Sequence, residues 1–306
     1  MSMAMQGIVL AVAGQVFFSG SLTIVKALAG AIPAIQIAWL GFSFSLIVLA
    51  VICRWRGVAL LPRGSFWLHG ARGLMGFASL ALVLFALQRL PMPDVISISF
   101  AQVLFLTVIA ALALGETVRW RRWTAVAIGF AGVVVMMRPG TGALEGGAIW
   151  LYLAAVAGAA FGAAAVAVMK HLTRNDNPLT LALSFAITAA LFGAPLSLLV
   201  WQTPTALEWV LILASGLLNI AGQQCFIHAY ARADASLLAP FDYSRLVFAG
   251  VLAALFFAEY PDIWTLSGAA IIIASTLYIA RREARLAKQR RQAQAAQSAA
   301  SAPASG

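Results

Sequence analysis

The sequence predicts an all-α membrane protein of ten transmembrane helices, arranged as two inverted five-helix repeats. Three observations predict it: an apolar composition, a segment that returns at a constant offset, and a lopsided placement of Lys and Arg. Of the 306 residues, 62% are hydrophobic and 10% are charged, whereas soluble domains carry charge on roughly 25% of positions. The apolar runs are continuous rather than alternating, which excludes a β-barrel. They follow one another at about the 20 residues a helix needs to cross the hydrocarbon.

The repeat is clearest between Leu87 and Gly140. Sliding this segment by 143 residues pairs Arg89 with Arg232, Phe105 with Phe248, Val108 with Val251, Glu116 with Glu259, Ala131 with Ala274 and Arg138 with Arg281, without a gap. Further upstream Gly73 falls on Gly216 and, with small shifts, Lys26 on Lys170 and Pro33 on Pro178. The spans read as 7–27, 34–53, 66–88, 92–114 and 121–138, then 147–169, 179–201, 208–230, 235–257 and 263–281. Five crossings per repeat is an odd number, so the second repeat enters the bilayer from the opposite face. The expected units are 1–141 and 142–282, the two repeats, followed by a basic, disordered cytoplasmic tail over 283–306.

The first span lacks a preceding basic region and a small-residue cleavage site, so it is expected to be retained. It carries Gln15, Ser19, Thr23 and Lys26 as one polar stripe at helical spacing. The third has Arg72 on one face with His69, Gly76 and Ser79; the fourth has Ser99, Phe100 and Gln102. Gly158 and Gly162 let the sixth approach a neighbour closely. The eighth carries Asn219, Gln223, Gln224 and His228, and the ninth Asp242, Tyr243 and Arg245. Glu116 and Glu259 stand at equivalent turns before the fifth and tenth spans, where a carboxylate favours the helix N-terminus that follows. Trp120, Trp123, Trp150, Trp209 and Trp264 lie at span ends, as interfacial anchors do.

Fifteen of the twenty basic residues fall on one side of this drawing, among them Arg54, Arg56, Arg119, Arg121, Arg122 and the run from Arg281 to Arg291. Three fall on the other, Lys26, Arg89 and Arg138, and two lie inside spans, Arg72 and Arg245. Cytoplasmic loops collect positive charge, so both termini are expected in the cytoplasm of a multi-pass inner-membrane protein. The net charge of +10 therefore reflects topology, and no nucleic-acid partner is expected. The RREARLAKQRR stretch extends the last helix along the anionic leaflet, where each cation adds about 1 kcal/mol of attraction. Cys53 and Cys225 lie in or beside apolar spans, which supports neither a disulfide framework nor a metal site.

Ionisable groups at membrane depth cost several kcal/mol unless paired or wet, so Arg72, Asp242 and Arg245 are the first candidates for function. A solute cavity would use the guanidinium forks to hold a carboxylate or phosphate. Internal salt bridges, Arg245 or Arg72 with Asp242, are the structural alternative. Three polar stripes converging with two arginines favour a polar central cavity. Gln15, Ser19, Gln102, Asn219, Gln223 and His228 would supply its hydrogen bonds; Phe100 and Tyr243 would supply aromatic walls. Phe17, Phe18, Trp39 and Phe241 lie on or near the same spans and read as packing. No zinc-binding HExxH pair, nucleophile turn, P-loop or dinucleotide glycine pattern is present, so no enzyme and no cofactor are expected. Transport would run on a gradient.

The blocks ALQRLPMPDVISISFAQVLFLTVIAALALGETVRWRRWTAVAIGFAGVVVMMRPG and ARADASLLAPFDYSRLVFAGVLAALFFAEYPDIWTLSGAAIIIASTLYIARRE resemble the two EamA repeats of the drug/metabolite transporter superfamily. Arg72-Gly73 and the FDYSR stretch look closest to its S-adenosylmethionine-carrier-like branch. The resemblance implies ten helices, cytoplasmic termini, a central cavity and a secondary carrier of small organic metabolites. An arginine frequent in the second span of relatives is replaced here by the Leu40-Gly41-Phe42 stretch, so no role rests on it.

The function expected is alternating-access transport of a small anionic or zwitterionic metabolite, such as an amino-acid derivative or a metallophore, with export favoured. Uptake of S-adenosylmethionine, riboflavin or a similar nucleoside-like metabolite is the alternative. A non-transporting assembly or receptor subunit is the second, and a membrane enzyme would need a catalytic dyad that the sequence lacks. The partners expected are the solute and the bilayer; monomer and homodimer are not distinguished.

Overall fold

Continuous apolar sequence in a medium without water leaves backbone groups only each other as partners, and the chain answers with helices. The computed structural model describes residues 3–57, 65–113, 120–137, 148–172, 176, 178–230, 232, 238 and 241–300. Its helices are α1 (Met3–Ala27), α2 (Ala34–Arg56), α3 (Phe66–Leu87), α4 (Met92–Ser99), α5 (Gln102–Ala113), α6 (Trp120–Met137), α7 (Ala148–Leu172), α8 (Pro178–Leu199), α9 (Ala206–Tyr230), α10 (Ser244–Phe257) and α11 (Ile263–Ala300). No strand occurs among the described residues. Among the described residues, eight rods are long and apolar enough to cross a membrane, with α4 and α5 counted as one; Trp123–Met137 and Ser244–Phe257 are shorter apolar helices. Leu112, Leu191, Val210 and Leu255 stand more than half exposed, a surface suited to hydrocarbon and not to water.

Three details depart from the expected spans. The fourth is interrupted at Phe100 and Ala101, whose amides reach back only three residues, to Ser97 O and Ile98 O. Ser97 and Ser99 return their hydroxyls to Pro93 O and Val95 O, competition of the kind that bends helices. The ninth is broken at the repeat-equivalent place: α10 starts at Ser244, after a turn at Tyr243 whose carbonyl accepts from Leu246 N. Its first expected residues, 235–240, lie almost wholly outside the described residues, as does Glu116. Finally, α11 does not stop at Arg282. Its backbone runs on to Ala300, because the Ala, Gln, Lys and Arg of that segment are strong helix formers.

Packing follows the repeat. α1 lies along α9, and its repeat mate α7 lies along α3; α2 pairs with α8, and α6 with α11. The core is a cluster around Leu28, Leu87, Met92, Ile98, Leu104, Met136 and Ile272. At Gly14 and Gly222 the backbones of α1 and α9 nearly touch: a Cβ at Gly14 would come 3.2 Å from Gly222 O. At Gly158 the approach is to α3, where a Cβ would come 3.1 Å from Ser79 O, and the Ser79 hydroxyl donates to Gly158 O at 2.7 Å.

Candidate functional site

The polar stripe of α1 faces one seam over its whole length. Gln15 Nε2 donates to Asp242 Oδ1 (3.0 Å), the Ser19 hydroxyl to Arg245 O (3.3 Å), and Thr23 to Ser19 O (2.9 Å). Lys26 Nζ closes the stripe on Glu259 (2.6 Å to Oε1) and on Leu90 O (2.7 Å). Glu259 Oε2 also accepts from Met92 N (3.0 Å). The carboxylate read in the sequence as an N-terminal charge for α11 is therefore a tie joining α1, the α3–α4 turn and the end of α10.

At the middle of this seam the two interrupted helices meet. Phe100, in the break between α4 and α5, stacks edge-on against Tyr243, in the break before α10, with centroids 4.8 Å apart. These residues are repeat mates. The Tyr243 hydroxyl is bonded to Thr276 Oγ1 of α11. Arg245, two residues on, has its guanidinium 5.8 Å from the centre of the Phe18 ring. Its Nε is buried and finds no hydrogen-bond partner among the described residues. Buried guanidinium N–H groups are normally satisfied, so an orphan invites a ligand.

Arg72 occupies a different place. Its Nη1 donates to Leu181 O (2.7 Å), and its guanidinium lies 4.4 Å from the centre of the Phe185 ring. Both partners are on α8. Around it His69 bonds Ser184 and Asp176, and Thr188 donates to His69 O. Gln102 packs at the α3–α7 crossing, where a Cβ on Gly162 would meet its Oε1 at 3.1 Å and Ser79 Oγ at 2.9 Å. Asn219 lines a cavity of about 140 Å³ between α1, α2, α3 and α9, with Ser21, Ser45 and Ser215 among its polar lining. Gln223, Gln224 and His228 are exposed on α9. Trp39 is fixed by its indole N–H to Ala190 O (3.0 Å), as packing requires.

Several buried polar residues escape a search for arginines and stripes. Asp94, 1% exposed, takes hydroxyls from Tyr152 (2.7 Å) and Thr265 (2.5 Å) and so binds α4 to α7 and α11. Gln36 exchanges two hydrogen bonds with the backbone of Gln202. Asp94 sits next to Pro93 in the first turn of a helix, where a carboxylate reads as a cap; only its depth in the fold distinguishes it.

The profile of the EamA-like transporter family matches residues 5–138 and 149–281. The chain belongs to that family. This EamA-like protein is 30% identical over 254 residues to the S-adenosylmethionine uptake transporter of Rickettsia prowazekii (strain Madrid E), covering 83% of this chain and 85% of that one. It is 25% identical over 277 residues to the pseudopaline exporter CntI of Pseudomonas aeruginosa (strain UCBPP-PA14), covering 90% and 96%. It is 27% identical over 263 residues to the riboflavin transporter of Vibrio cholerae serotype O1, covering 85% and 87%. A solved crystal structure aligns with a TM-score of 0.60 at 22% identity, over 90% of this chain and 98% of that one, which shows the fold. These likenesses support a multi-pass membrane transporter of a small metabolite, and nothing in them points to catalysis.

Proposed function

We propose that the protein is a secondary carrier of a small zwitterionic or anionic organic metabolite, working by alternating access between two inverted five-helix halves with both termini in the cytoplasm. The observation that carries this reading is the meeting of two helix breaks at repeat-equivalent positions, Phe100 and Tyr243, beside a buried Arg245 Nε that has no partner among the described residues. Broken helices at matching places in the two halves are where transporters bind solute.

In this reading Arg245 takes the solute's carboxylate and Asp242, one turn earlier and held by Gln15, faces its cationic group. Phe100, Tyr243 and Phe18 offer flat apolar walls. Gln102, Ser19, Asn219 and Gln223 supply hydrogen bonds along the path, and His228 lies toward its end on α9. Arg72, committed to Leu181 O and Phe185, reaches solute only when α3 and α8 part.

Export is the direction favoured, supported by the likeness to CntI over 96% of that exporter's length. Uptake is the second reading, supported by the likeness to S-adenosylmethionine uptake transporters at 30% identity. Counterflow in proteoliposomes, with labelled S-adenosylmethionine, riboflavin and amino acids as probes, tests both. Arg245→Ala is expected to abolish exchange of the accepted probe, at least about tenfold by the energy of one charge-assisted bond, while the protein still purifies as one monodisperse species. Full exchange in that variant removes Arg245 from the site.

A further inference from the structure

α6 and α11 are repeat mates, and they run antiparallel: a Cβ at Gly132 would come 2.9 Å from Gly268 O, and one at Gly129 would come 2.7 Å from Ser275 Oγ. Beyond this crossing the two helices leave a groove of about 460 Å³, lined on one side by Trp120, Thr124 and Ile128 and on the other by Ala274, Ser275 and Tyr278. Trp120, Ile128 and Tyr278 are 69%, 57% and 45% exposed, so in a membrane the groove meets lipid. From Trp120 to Ile128 it runs about 12 Å along the axis of α6 at roughly 1.5 Å per residue, most of the about 15 Å of hydrocarbon in one leaflet. An indole and a phenol at its mouth are side chains that settle at the headgroup boundary.

We propose that this groove binds one anionic phospholipid from the leaflet on the side of the C-terminal tail, with an acyl chain along the groove and the phosphate at its basic end. At about 3.6 residues per turn, position 121 shares the groove's face of α6 with Thr124 and Ile128. Positions 282 and 285 follow Ser275 and Tyr278 on one face of α11, which stays helical to Ala300, and Arg281 stands exposed beside them. All four positions hold arginine, and those on α11 lie about 5 to 10 Å beyond Tyr278, in the zone of the headgroups. Basic pockets between helices on the cytoplasmic side take anionic headgroups, whereas a second copy docked on this face would set two arginine runs against each other.

The other end of the same helix pair lacks these features. The offset of 143 residues carries Arg121 to Trp264 and returns Tyr278, Arg282 and Arg285 to Val135, Pro139 and Gly142; only Arg281 keeps a basic mate, Arg138. The repeat duplicates the helices and not the charges, so the anionic lipid is selected at one face of the membrane. That this face is the cytoplasmic one rests on the carrier topology proposed above; the site itself does not.

Native mass spectrometry of the full chain, offered phosphatidylglycerol or phosphatidylcholine with the same acyl chains, tests the site without any solute. Phosphatidylglycerol is expected to be held about tenfold more tightly, the scale that two or more cations near a headgroup give. Arg282→Gln with Arg285→Gln is expected to remove most of that preference. Arg290→Gln with Arg291→Gln, the same loss of charge at positions turned off the groove's face, is expected to keep it. Ala274→Trp fills the groove without changing charge and is expected to lower retention of phosphatidylglycerol at least about fivefold; if it does not purify, Ile128→Trp fills the groove from the opposite wall. Equal retention of the two lipids overturns the proposal. Equal effects of the two arginine pairs, or retention undiminished in the filled groove, overturn it too, since the tail would then attract anionic lipid without a site. Selective retention in a chain that exchanges no probe upholds the site and leaves the carrier reading to fail alone, and a C-terminal tag found on the outer face changes only which leaflet supplies the lipid.

Discussion

Two contacts related by the internal repeat differ more than their sequences do. α3 meets α8 at Gly73 and Gly76: a Cβ at Gly73 would fall on the Thr188 side chain and within 2.9 Å of Ala189 N, and one at Gly76 on the Phe185 ring. The mates of these glycines on α9 are Gly216 and Asn219, and they face α2. There the atoms nearest a Cβ at Gly216 would be those of the Phe44 ring, at 2.9 Å, and Asn219 borders the 140 Å³ cavity. The α1–α9 and α3–α7 crossings, by contrast, keep the same close backbone approach at Gly14 and Gly158. One pair of mates is alike and one is not. In the proposed carrier, helices of the alike pair would move as units, and the unlike pair would mark surfaces that close at one end and open at the other.

The sharpest way to break this comparison is to place a methyl group at each mate. Gly73→Ala pushes against a short β-branched side chain and a backbone nitrogen, neither of which can swing away, and overpacking of that kind costs about 1–3 kcal/mol. Gly216→Ala meets the edge of a phenylalanine ring that can turn, and it gains up to about 1 kcal/mol of helix propensity. The midpoint of thermal unfolding in detergent is expected to fall clearly in the first variant and to hold or rise in the second. Equal losses would mean that both contacts are closed.

The next comparison sets Arg72 against its mate Ser215. Arg72→Ala removes a charged donor from Leu181 O and a cation from the Phe185 face, together worth about 1–2 kcal/mol. Ser215 returns its hydroxyl to Ile212 O within its own helix, so Ser215→Ala is expected to stay within about 0.5 kcal/mol. The same unfolding measurement reads both, and a larger loss in Ser215→Ala would undo the assignment of α3–α8 as the closed surface.

Much of this was legible in the sequence, and the reasons are physical. Helices were readable because hydrocarbon permits little else, and the repeat because Arg89, Glu116 and Arg138 recur at one offset. The stripe from Gln15 to Lys26 was readable because a period of 3.6 puts its members on one face; its partners, Asp242, Arg245 and Glu259, are 226 to 233 positions away and no local pattern names them. The breaks at Phe100 and Tyr243 have no proline or glycine at the break itself, and the polar residues beside them, Ser99, Gln102, Asp242 and Arg245, fit an unbroken helix with an inward face equally well. Arg72 was singled out as an intramembrane charge, and its use depends on a backbone carbonyl of α8. The pairing of His69 with Asp176 joins residues 107 positions apart, so no local pattern names it.

The smallest expected change in stability is the one that separates packing from transport. Asn219 is exposed on α9, and the cavity it borders leaves room for its amide, whereas its mate Gly76 is pressed on Phe185. Asn219→Ala removes no buried contact, so the unfolding midpoint is expected to move by no more than about 0.5 kcal/mol in equivalent stability. If α2 and α9 border the solute's path, the same variant slows counterflow of the accepted probe several-fold, about the worth of one hydrogen bond of roughly 1 kcal/mol. Unchanged flux with unchanged stability would take the cavity out of the path and leave the seam at Arg245 as the only route between the halves. Lost stability would show instead that α9 leans on Asn219, and the two repeat-related contacts would then be alike after all.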